Sequence, residues 1–216
     1  MPIPFAAADG RPTQVSDIVM LYHASHTVKL IEDIHFPGHK DSFDFGQGFY
    51  LTENKIVADM WSVSNNRPIV NVYEYMINAQ TIFDVSNDFE RWLKVIVGFR
   101  SRAYKVNIKS DIVYGQIAND RMDRVIESFL GGVISSDQLR KALLLVNLGN
   151  QYALKKSCAG LSYIDSYSLK GFEARQLTER NNSNRVDLDA KIRLVYRERN
   201  TGYFVDDIKN RGDFYE

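Results

Sequence analysis

Alternation of apolar and polar residues predicts the strands of this chain. Residues 69–77 read IVNVYEYMI, a run of β-branched and aromatic side chains typical of a strand. Residues 18–22 form a short apolar run that predicts a buried strand ending at His23. Residues 45–51 combine two glycines with aromatic residues, which favours a turn feeding a strand. Shorter strands are predicted at residues 82–84, 111–115, 151–155 and 161–164.

Helical spacing of apolar side chains predicts the helices. Thr52 is the expected N-cap of a helix over residues 53–64, with Trp61 on its apolar side. Gly131 and Gly132 are expected to stop another helix. The remaining predicted helices cover residues 88–99, 120–130 and 136–149.

Changes in composition divide the chain into three parts. These are a loose leader over residues 1–17, a mixed α+β domain over residues 18–167 and a C-terminal extension over residues 168–216. Within the extension, the polar stretch 173–191 predicts a linker. Residues 191–198 and 203–205 alternate around an Asn-Thr-Gly turn, which predicts a hairpin or docking arm.

Composition and charge narrow the class of protein. Hydrophobic residues make up 44% of the 216 residues, enough for a sizeable core, and Lys plus Arg equals Asp plus Glu at 27 each. This neutrality gives no whole-chain argument for binding nucleic acid or an anionic membrane. The single cysteine favours a reducing compartment. No signal-peptide pattern or apolar membrane-spanning run is visible, so a cytoplasmic protein with no membrane partner is expected.

All four histidines lie between residues 23 and 39. Three imidazoles and a water can bind zinc, so a metal hydrolase is one alternative. The spacing matches no usual metal signature, because Pro37 and Gly38 separate His35 from His39 and exclude a shared helix face. No metal is therefore expected, and three of these histidines are interpreted as surface loop residues.

His23 differs from the other histidines because it closes an apolar strand. A polar ring there is either a hydrogen-bonded core histidine or a group directed into a cleft. Gly46 and Gly48, about 22 residues further on, would let backbone approach a ligand closely. Tyr50 and Trp61 lie eleven residues apart, across a strand end and a helix, and could enclose a planar ligand. Plain core packing is the alternative for each aromatic residue.

Two segments carry a family resemblance. LYHAS at residues 21–25 and FGQGFYLTENKIVADMW at residues 45–61 resemble the first two motifs of the ADP-ribosyltransferases of the poly(ADP-ribose) polymerase and diphtheria-toxin class. In that class a strand ends in His-Gly-Ser, and a later segment reads approximately Phe-Gly-Lys-Gly-Ile-Tyr-Phe. The chain is most similar to an uncharacterised bacterial family that shares the LYHxS and FGxGFYLT motifs and the segments VNVYEY, SDIVYGQIANDR and NQYAL. The resemblance covers about residues 18–165.

The first motif implies a set of NAD contacts. His23 is expected to hydrogen-bond a ribose hydroxyl of NAD. The backbone of Ala24 is expected to bind the nicotinamide carboxamide, although the family usually has glycine there. Ser25 is expected beside the adenosine half of the dinucleotide.

The second motif implies the remaining contacts. Tyr50 is expected to stack on nicotinamide, with Trp61 on the opposite face of that ring. Gly46 and Gly48 are expected to shape the loop around the ligand. NAD itself would be the substrate.

The third family motif usually supplies a catalytic glutamate, and here the corresponding residue is Gln151. Glutamine keeps the hydrogen bond to the ribose but lacks the negative charge. The catalytic residues implied by the resemblance are therefore His23, Tyr50 and Gln151. Without the glutamate, transfer of a single ADP-ribose unit or hydrolysis is expected, and polymer growth is not.

The resemblance implies an α+β ADP-ribosyltransferase-like fold, with a split, mainly antiparallel β core flanked by helices and followed by the C-terminal extension. It implies an NAD-dependent mono-ADP-ribosyltransferase, a bacterial toxin or effector that modifies a protein or nucleic-acid acceptor. An antitoxin or immunity protein is then a further partner. Two alternatives keep the fold. One is an NAD glycohydrolase, and the other is an inactive module that binds NAD without turnover.

Overall fold

A computed structural model provides the structure of this chain. It describes residues 18–36, 43–64, 67–76, 81–101, 105–118, 121–199 and 214–215. The leader predicted over residues 1–17 and the strand predicted at 203–205 lie outside the described residues.

The described chain is an α+β structure, which confirms the predicted class. Its strands are β1 (Ile18–Ser25), β2 (Phe49–Thr52), β3 (Ile69–Met76), β4 (Ile82–Asp84), β5 (Val106–Asn107), β6 (Ile112–Gln116), β7 (Asn150–Leu154), β8 (Leu161–Ser168) and β9 (Phe214–Tyr215). Its helices are α1 (Lys55–Ser64), α2 (Phe89–Ser101), α3 (Met122–Leu130), α4 (Ser136–Leu143) and α5 (Gly171–Tyr196), with a 3-10 turn at Ile31–Asp33.

Seven strands form one mixed sheet in the order β4-β6-β7-β2-β1-β3-β8, and β5 pairs with β9 in a separate two-stranded sheet. Within the seven-stranded sheet every pairing of described strands is antiparallel except that of β4 with β6. The sheet is continuous, but β1 and β2 are joined in register at one position, Tyr22 with Thr52. By contrast, β1 pairs with β3 along its whole length, from Ile18 to Ser25. Two well-paired halves therefore meet at a narrow central junction.

Two hydrophobic clusters pack against the sheet, and both include residues of the β4-β6-β7-β2 half. The β4-β6-β7-β2 half packs under the helices α2, α3 and α4, and its largest fully buried side chains include Trp92, Phe129 and Phe45. The other cluster lies around Leu21, with Tyr73 packed against Phe49 edge to face. This second cluster also includes Ile112, Tyr152 and Leu154, so it continues across the central junction from β3 to β6.

Most sequence-predicted strands and helices form within one to three residues of the predicted ends. Strand β1 runs past His23 to Ser25, because β3 supplies pairing partners for Ala24 and Ser25. Helix α1 begins at Lys55, and its capping side chain is Asn54, whose Oδ1 accepts from Ile56 N at 3.1 Å. The prediction of Thr52 as the N-cap is wrong.

Helix α4 is shorter than predicted. It begins after the cap Ser135, whose backbone N–H donates to Gln138 Oε1 at 2.9 Å. It ends at Leu143 instead of near residue 149. The side chain of Asn147 accepts a hydrogen bond from Gly149 N at 2.9 Å, a local turn that competes with further helix.

The linker predicted over residues 173–191 is wrong, and so is the strand predicted over residues 191–198. Residues 173–196 belong to α5, which is 26 residues long, and residues 197–198 follow its end. Its first half has few apolar residues, so no helical stripe is visible in the sequence, and burial is concentrated at Leu188, Ile192 and Val195. These three residues pack into the cluster under α2–α4. The division of the chain at residue 167 stays a prediction.

Polar contacts also hold α5 on the domain. Asn181 Nδ2 donates to Ser64 Oγ of α1 at 2.8 Å, and Gln138 Nε2 of α4 donates to Val195 O at 3.2 Å. Helix α5 therefore joins α1 to α4 along one side of the domain. None of the helices in the described part of the chain is long and apolar enough to cross a membrane.

Candidate active site

A cavity of about 300 Å³ opens at the junction between β1 and β2. We call it the cleft cavity, and its lining includes His23, Ala24, Asp44, Tyr50, Trp61 and Gln151. Because β1 and β2 pair only near Tyr22, the strands leave room there for side chains. The structure thus brings together, around one space, residues that are up to 128 positions apart in the sequence, as His23 and Gln151 are.

His23 connects the two strands at the base of the cleft cavity. Its Nδ1 lies 2.8 Å from the backbone oxygen of Tyr50. A carbonyl oxygen only accepts, so Nδ1 carries the proton and the neutral ring keeps an acceptor lone pair on Nε2. Burial lowers the pKa of His23 to about 4, with the positive charges of Arg67 and Lys29 acting in the same direction. His23 is therefore a neutral hydrogen-bond acceptor near pH 7.

Tyr50 lies across the same junction and closes the loop before β2. Its hydroxyl donates to Gly46 O at 2.5 Å and accepts from Phe45 N at 3.0 Å. Burial first, and then the charge of Asp44, raise the pKa of Tyr50 well above its usual value. The ring of Phe43 lies 5.1 Å from that of Tyr50. Tyr50 is thus a neutral phenol whose ring is held rigidly at the wall of the cavity.

Gly46 and Gly48 shape this loop and are not part of the cavity lining. Gly46 has a φ of 70°, and a Cβ atom there would lie 2.5 Å from the ring of Phe99. A Cβ atom on Gly48 would lie 2.8 Å from the backbone oxygen of Leu154 on the neighbouring strand. The loop geometry therefore requires glycine at both positions. A direct contact of either glycine with a ligand stays a prediction.

Ala24 and Ser25, adjacent on β1, have different surroundings. Ala24 lines the cleft cavity. Ser25 is buried outside the lining, where its hydroxyl donates to Thr27 O and accepts from Asn71 Nδ2 at 2.8 Å. Asn71 is fully buried and also accepts from Lys29 N at 2.8 Å. Ser25 is thus part of a hydrogen-bond network at the end of β1. Its expected place beside adenosine stays a prediction.

Trp61 of α1 lines the cleft cavity and also a second cavity of about 250 Å³ between α1 and α5. We call this second space the α1–α5 cavity, and its lining includes Val57, Val146, Leu148, Asn181 and Leu188. The indole is partly exposed. One aromatic side chain therefore forms a wall shared by two neighbouring spaces.

Gln151 of β7 is 3% exposed and reaches the cleft cavity. Its Nε2 donates to Asp44 Oδ2 at 2.6 Å. Asp44 is itself buried and is paired with Arg100 of α2, whose Nε lies 2.7 Å from Asp44 Oδ1. Burial alone would lower the pKa of Arg100, but Asp44 and then Asp123 outweigh burial and raise it.

Asp44, Arg67 and Arg100 line the cleft cavity and were missed by the sequence reasoning. Asp44 directly precedes the FGQGFY segment, and this adjacency was the available signal for it. The guanidinium of Arg67 forms no ion pair or hydrogen bond with the described residues. Arg67 is therefore a positive charge of the cavity that is available to an anionic ligand.

The other histidines do not join His23. His26 and His35 are exposed, and His39 lies outside the described residues. Within the described ranges, no group of three or more His, Cys, Asp or Glu side chains lies close enough to bind a metal ion.

A family model matches most of this chain. Residues 19–165 match the family model described as "Protein of unknown function (DUF3990)", and the chain belongs to this family because the match covers more than half of it. No curated protein and no solved structure matches the chain. The matched segment contains every residue discussed above for the cleft cavity, while α5 follows it.

Proposed function

We propose that this protein is an NAD-dependent mono-ADP-ribosyltransferase with an ADP-ribosyltransferase-like fold. The observation that carries the proposal is the joint lining of the cleft cavity by His23, Tyr50 and Gln151. These are the three side chains that the family resemblance selects from distant parts of the sequence. A neutral imidazole acceptor, a fixed phenol ring and an amide around one space form a plausible binding site for a nicotinamide riboside.

Each group has a defined part in binding NAD. His23 Nε2 accepts a hydrogen bond from a ribose hydroxyl, since Nδ1 is already bonded to Tyr50 O. The rings of Tyr50 and Trp61 pack against nicotinamide, and the backbone of Ala24 bonds its carboxamide. Arg67 faces the negatively charged pyrophosphate, which the other cavity residues would leave without a partner.

Cleavage breaks the bond between ribose C1′ and the pyridinium nitrogen. The bonding electron pair goes to that nitrogen, so nicotinamide leaves neutral and the positive charge moves to the ribose ring, as in glycoside hydrolysis. An acceptor oxygen or nitrogen then forms the new bond to C1′ and releases its proton to solvent. The protein contributes by holding the bound dinucleotide in position and excluding water.

The acceptor is a macromolecule in this proposal, and the cellular role is that of a toxin or effector countered by an antitoxin. The proposed cellular role predicts that expression in bacteria arrests growth. The growth arrest should be absent when His23 is replaced, because growth arrest and NAD cleavage both depend on the cleft cavity.

The test is incubation of the purified protein with NAD labelled in the adenylate part. We expect nicotinamide release and label on an acceptor from a cell extract. His23→Ala and Tyr50→Ala should each lower NAD cleavage about 5- to 150-fold, which corresponds to about 1–3 kcal/mol for a buried partner left unsatisfied. His26→Ala is the matched control, because His26 is exposed and outside the cavity lining.

The other outcomes separate the alternatives. Free labelled ADP-ribose without labelled macromolecule identifies a glycohydrolase. NAD binding by calorimetry without nicotinamide release identifies an inactive binding module. Cleavage that is unchanged in both His23→Ala and Tyr50→Ala would overturn the assignment of the site.

A further inference from the structure

Asp44 is the buried acidic residue of the cleft cavity, and both of its carboxylate oxygens are engaged. Oδ1 accepts from Arg100 Nε at 2.7 Å. Oδ2 accepts from Gln151 Nε2 at 2.6 Å and from Ala118 N at 3.3 Å. Three parts of the chain, namely α2, β7 and the segment after β6, therefore converge on this carboxylate and fix its position.

The contact with Asp44 also fixes the orientation of the Gln151 amide. A carboxylate only accepts hydrogen bonds, so the amide nitrogen must face Asp44 and the amide oxygen must point away from it. Gln151 Oε1 accepts no hydrogen bond from the described residues. Gln151 lines the cleft cavity, so this oxygen is available to a hydroxyl of a bound ligand.

The charges around Asp44 do not cancel. Arg100 lies between two carboxylates, with its Nη1 2.7 Å from Asp123 Oδ1 and its Nε 2.7 Å from Asp44 Oδ1. Asp44 therefore shares its guanidinium partner with a second carboxylate, so Arg100 neutralises the charge of Asp44 only in part. Hydrogen bonds in a chain polarise one another in a low-dielectric interior, so a carboxylate bonded to the amide N–H makes the amide oxygen more negative.

We propose that Asp44 is a positioning residue that supplies, through the amide of Gln151, the negative charge needed at the ribose. Asp44 holds Gln151 with Oε1 directed to the ribose, and its charge stabilises the positive charge that develops on the sugar ring when the nicotinamide bond breaks. Together, Gln151 supplies the hydrogen-bond acceptor and Asp44 the negative charge that a single glutamate would supply. This inference rests on the proposed NAD-cleaving function.

The experiment is a charge exchange between the two positions, measured as kcat and KM for NAD cleavage by the full chain. Asp44→Asn removes the charge and should lower kcat about 10- to 100-fold, the usual cost of losing the residue that orients and polarises a functional group. KM should change little, because the contacts of His23 and Tyr50 with NAD remain. Gln151→Glu alone should also lower kcat, since two carboxylates would then share the 2.6 Å contact.

The double variant Asp44→Asn, Gln151→Glu restores one amide and one carboxylate in exchanged positions. We expect its kcat to exceed that of either single variant at least about tenfold, as a double-mutant cycle shows for coupled residues. A purely structural role of Asp44 would not give this recovery. Asp123→Asn is the matched control, because it removes a carboxylate from Arg100 without touching Gln151. The Asp123 side chain is 68% exposed and screened by solvent, so its kcat should fall much less than that of Asp44→Asn.

The outcomes distinguish this inference from the function on which it rests. A wild-type protein that neither binds nor cleaves NAD overturns the proposed function and this inference with it. Wild-type cleavage combined with full activity of Asp44→Asn, or with a double variant no better than the single ones, overturns the role of Asp44 alone. If Asp44→Asn does not fold, wild-type activity in Gln151→Glu suffices to overturn it.

Discussion

Trp61 borders two cavities of similar size that are built from different side chains. The cleft cavity, of about 300 Å³, has polar and charged groups in its walls, among them His23, Asp44 and Gln151. The α1–α5 cavity, of about 250 Å³, has a mainly apolar surface from side chains such as Val57 and Leu188, with polar residues such as Asn181 and Arg185 beside them. The polar walls come from strand ends and loops, whereas the apolar walls come mostly from helices.

Under the proposed function, the two cavities separate chemistry from packing. In the cleft cavity the buried polar groups are fixed by partners, as His23 is by Tyr50 O and Gln151 is by Asp44. Buried polar groups cost stability unless they are paired, and these hydrogen bonds supply the partners. In the α1–α5 cavity the side chains continue the hydrophobic core, and Leu188 belongs to both. Substitutions should therefore reduce activity on one side of Trp61 and stability on the other.

The largest expected effect is on the apolar side. Leu188 is 6% exposed and packs into the core under α2–α4. Leu188→Ala should lower the free energy of unfolding by about 2–5 kcal/mol, because it removes buried methyl groups and enlarges a cavity. The measurement is urea unfolding, together with NAD cleavage under conditions where the variant is folded.

Val186→Ala is the matched control on the same helix, since Val186 is 71% exposed and should change stability by no more than about 0.5 kcal/mol. Cleavage by folded Leu188→Ala should equal that of wild type. A loss of cleavage without a loss of stability would show that the two cavities are not separated in this way.

The next effect is a pH dependence on the polar side. The pKa of His23 is about 4 in the folded protein against 6.5 for the free side chain, because burial disfavours the charged ring. As the pH falls from 6.5 to 4, the unfolded chain binds a proton at this position that the folded chain does not. Stability should therefore fall across this window by up to roughly 3 kcal/mol and change no further below it from this group.

The test is to measure the urea midpoint of unfolding at several pH values between about 8 and about 4. His23→Asn should remove the His23 contribution, and His26→Ala should retain it, since His26 is exposed. Equal pH profiles for wild type and His23→Asn would contradict the assignment of a buried neutral imidazole at the cleft.

The smallest effect concerns the loop that holds Tyr50. Gly46 and Gly132 have almost the same φ, 70° and 69°. A Cβ atom added to Gly46 would lie 2.5 Å from the ring of Phe99, whereas one added to Gly132 would have no neighbour within 4 Å. Both alanine variants carry the cost of a positive φ, and Gly46→Ala adds a steric overlap. Gly46→Ala should be less stable than Gly132→Ala by about 1–3 kcal/mol.

Thermal or urea unfolding of the two variants gives this difference directly. Gly46→Ala should also reduce NAD cleavage, because the Tyr50 hydroxyl bonds to the backbone oxygen of Gly46. Gly132→Ala lies at the end of α3 and should leave cleavage unchanged. Equal stability of the two variants would show that the ring of Phe99 moves aside at little cost.

The sequence predicts the fold best where local pattern and tertiary packing agree. The β-branched and aromatic run at β3 and the helical spacing in α2 gave nearly correct ends. Strand β3 is buried on both faces over residues 70–73, and the apolar residues of α2 recur at helical spacing. Helix α5 was missed because its buried apolar positions, Leu188, Ile192 and Val195, all lie in its second half, so the first half has the composition of a linker. The cap of α1 was misplaced because Thr52 is turned towards Asn150 O, a contact 98 residues away in sequence.

The candidate site was predicted in part. Trp61, Ala24 and Gln151 do line the cavity with His23 and Tyr50, and local motifs were sufficient to select them. Asp44 and Arg100 were missed because their importance comes from a contact between a loop and a helix 56 residues apart. Such a pair has no spacing signature, since no regular element contains both residues.

The junction between the two halves of the seven-stranded sheet has a mechanical consequence. A fully paired ladder fixes the separation of its strands at about 4.8 Å through backbone bonds alone. At this junction the strands pair at one position, Tyr22 with Thr52. The next connection between them is the hydrogen bond from the imidazole of His23 to Tyr50 O. The separation of β1 and β2 beside the cleft cavity is therefore set by the length of one side chain. A single substitution at position 23 can change this separation while the strand pairing within each half of the sheet is kept.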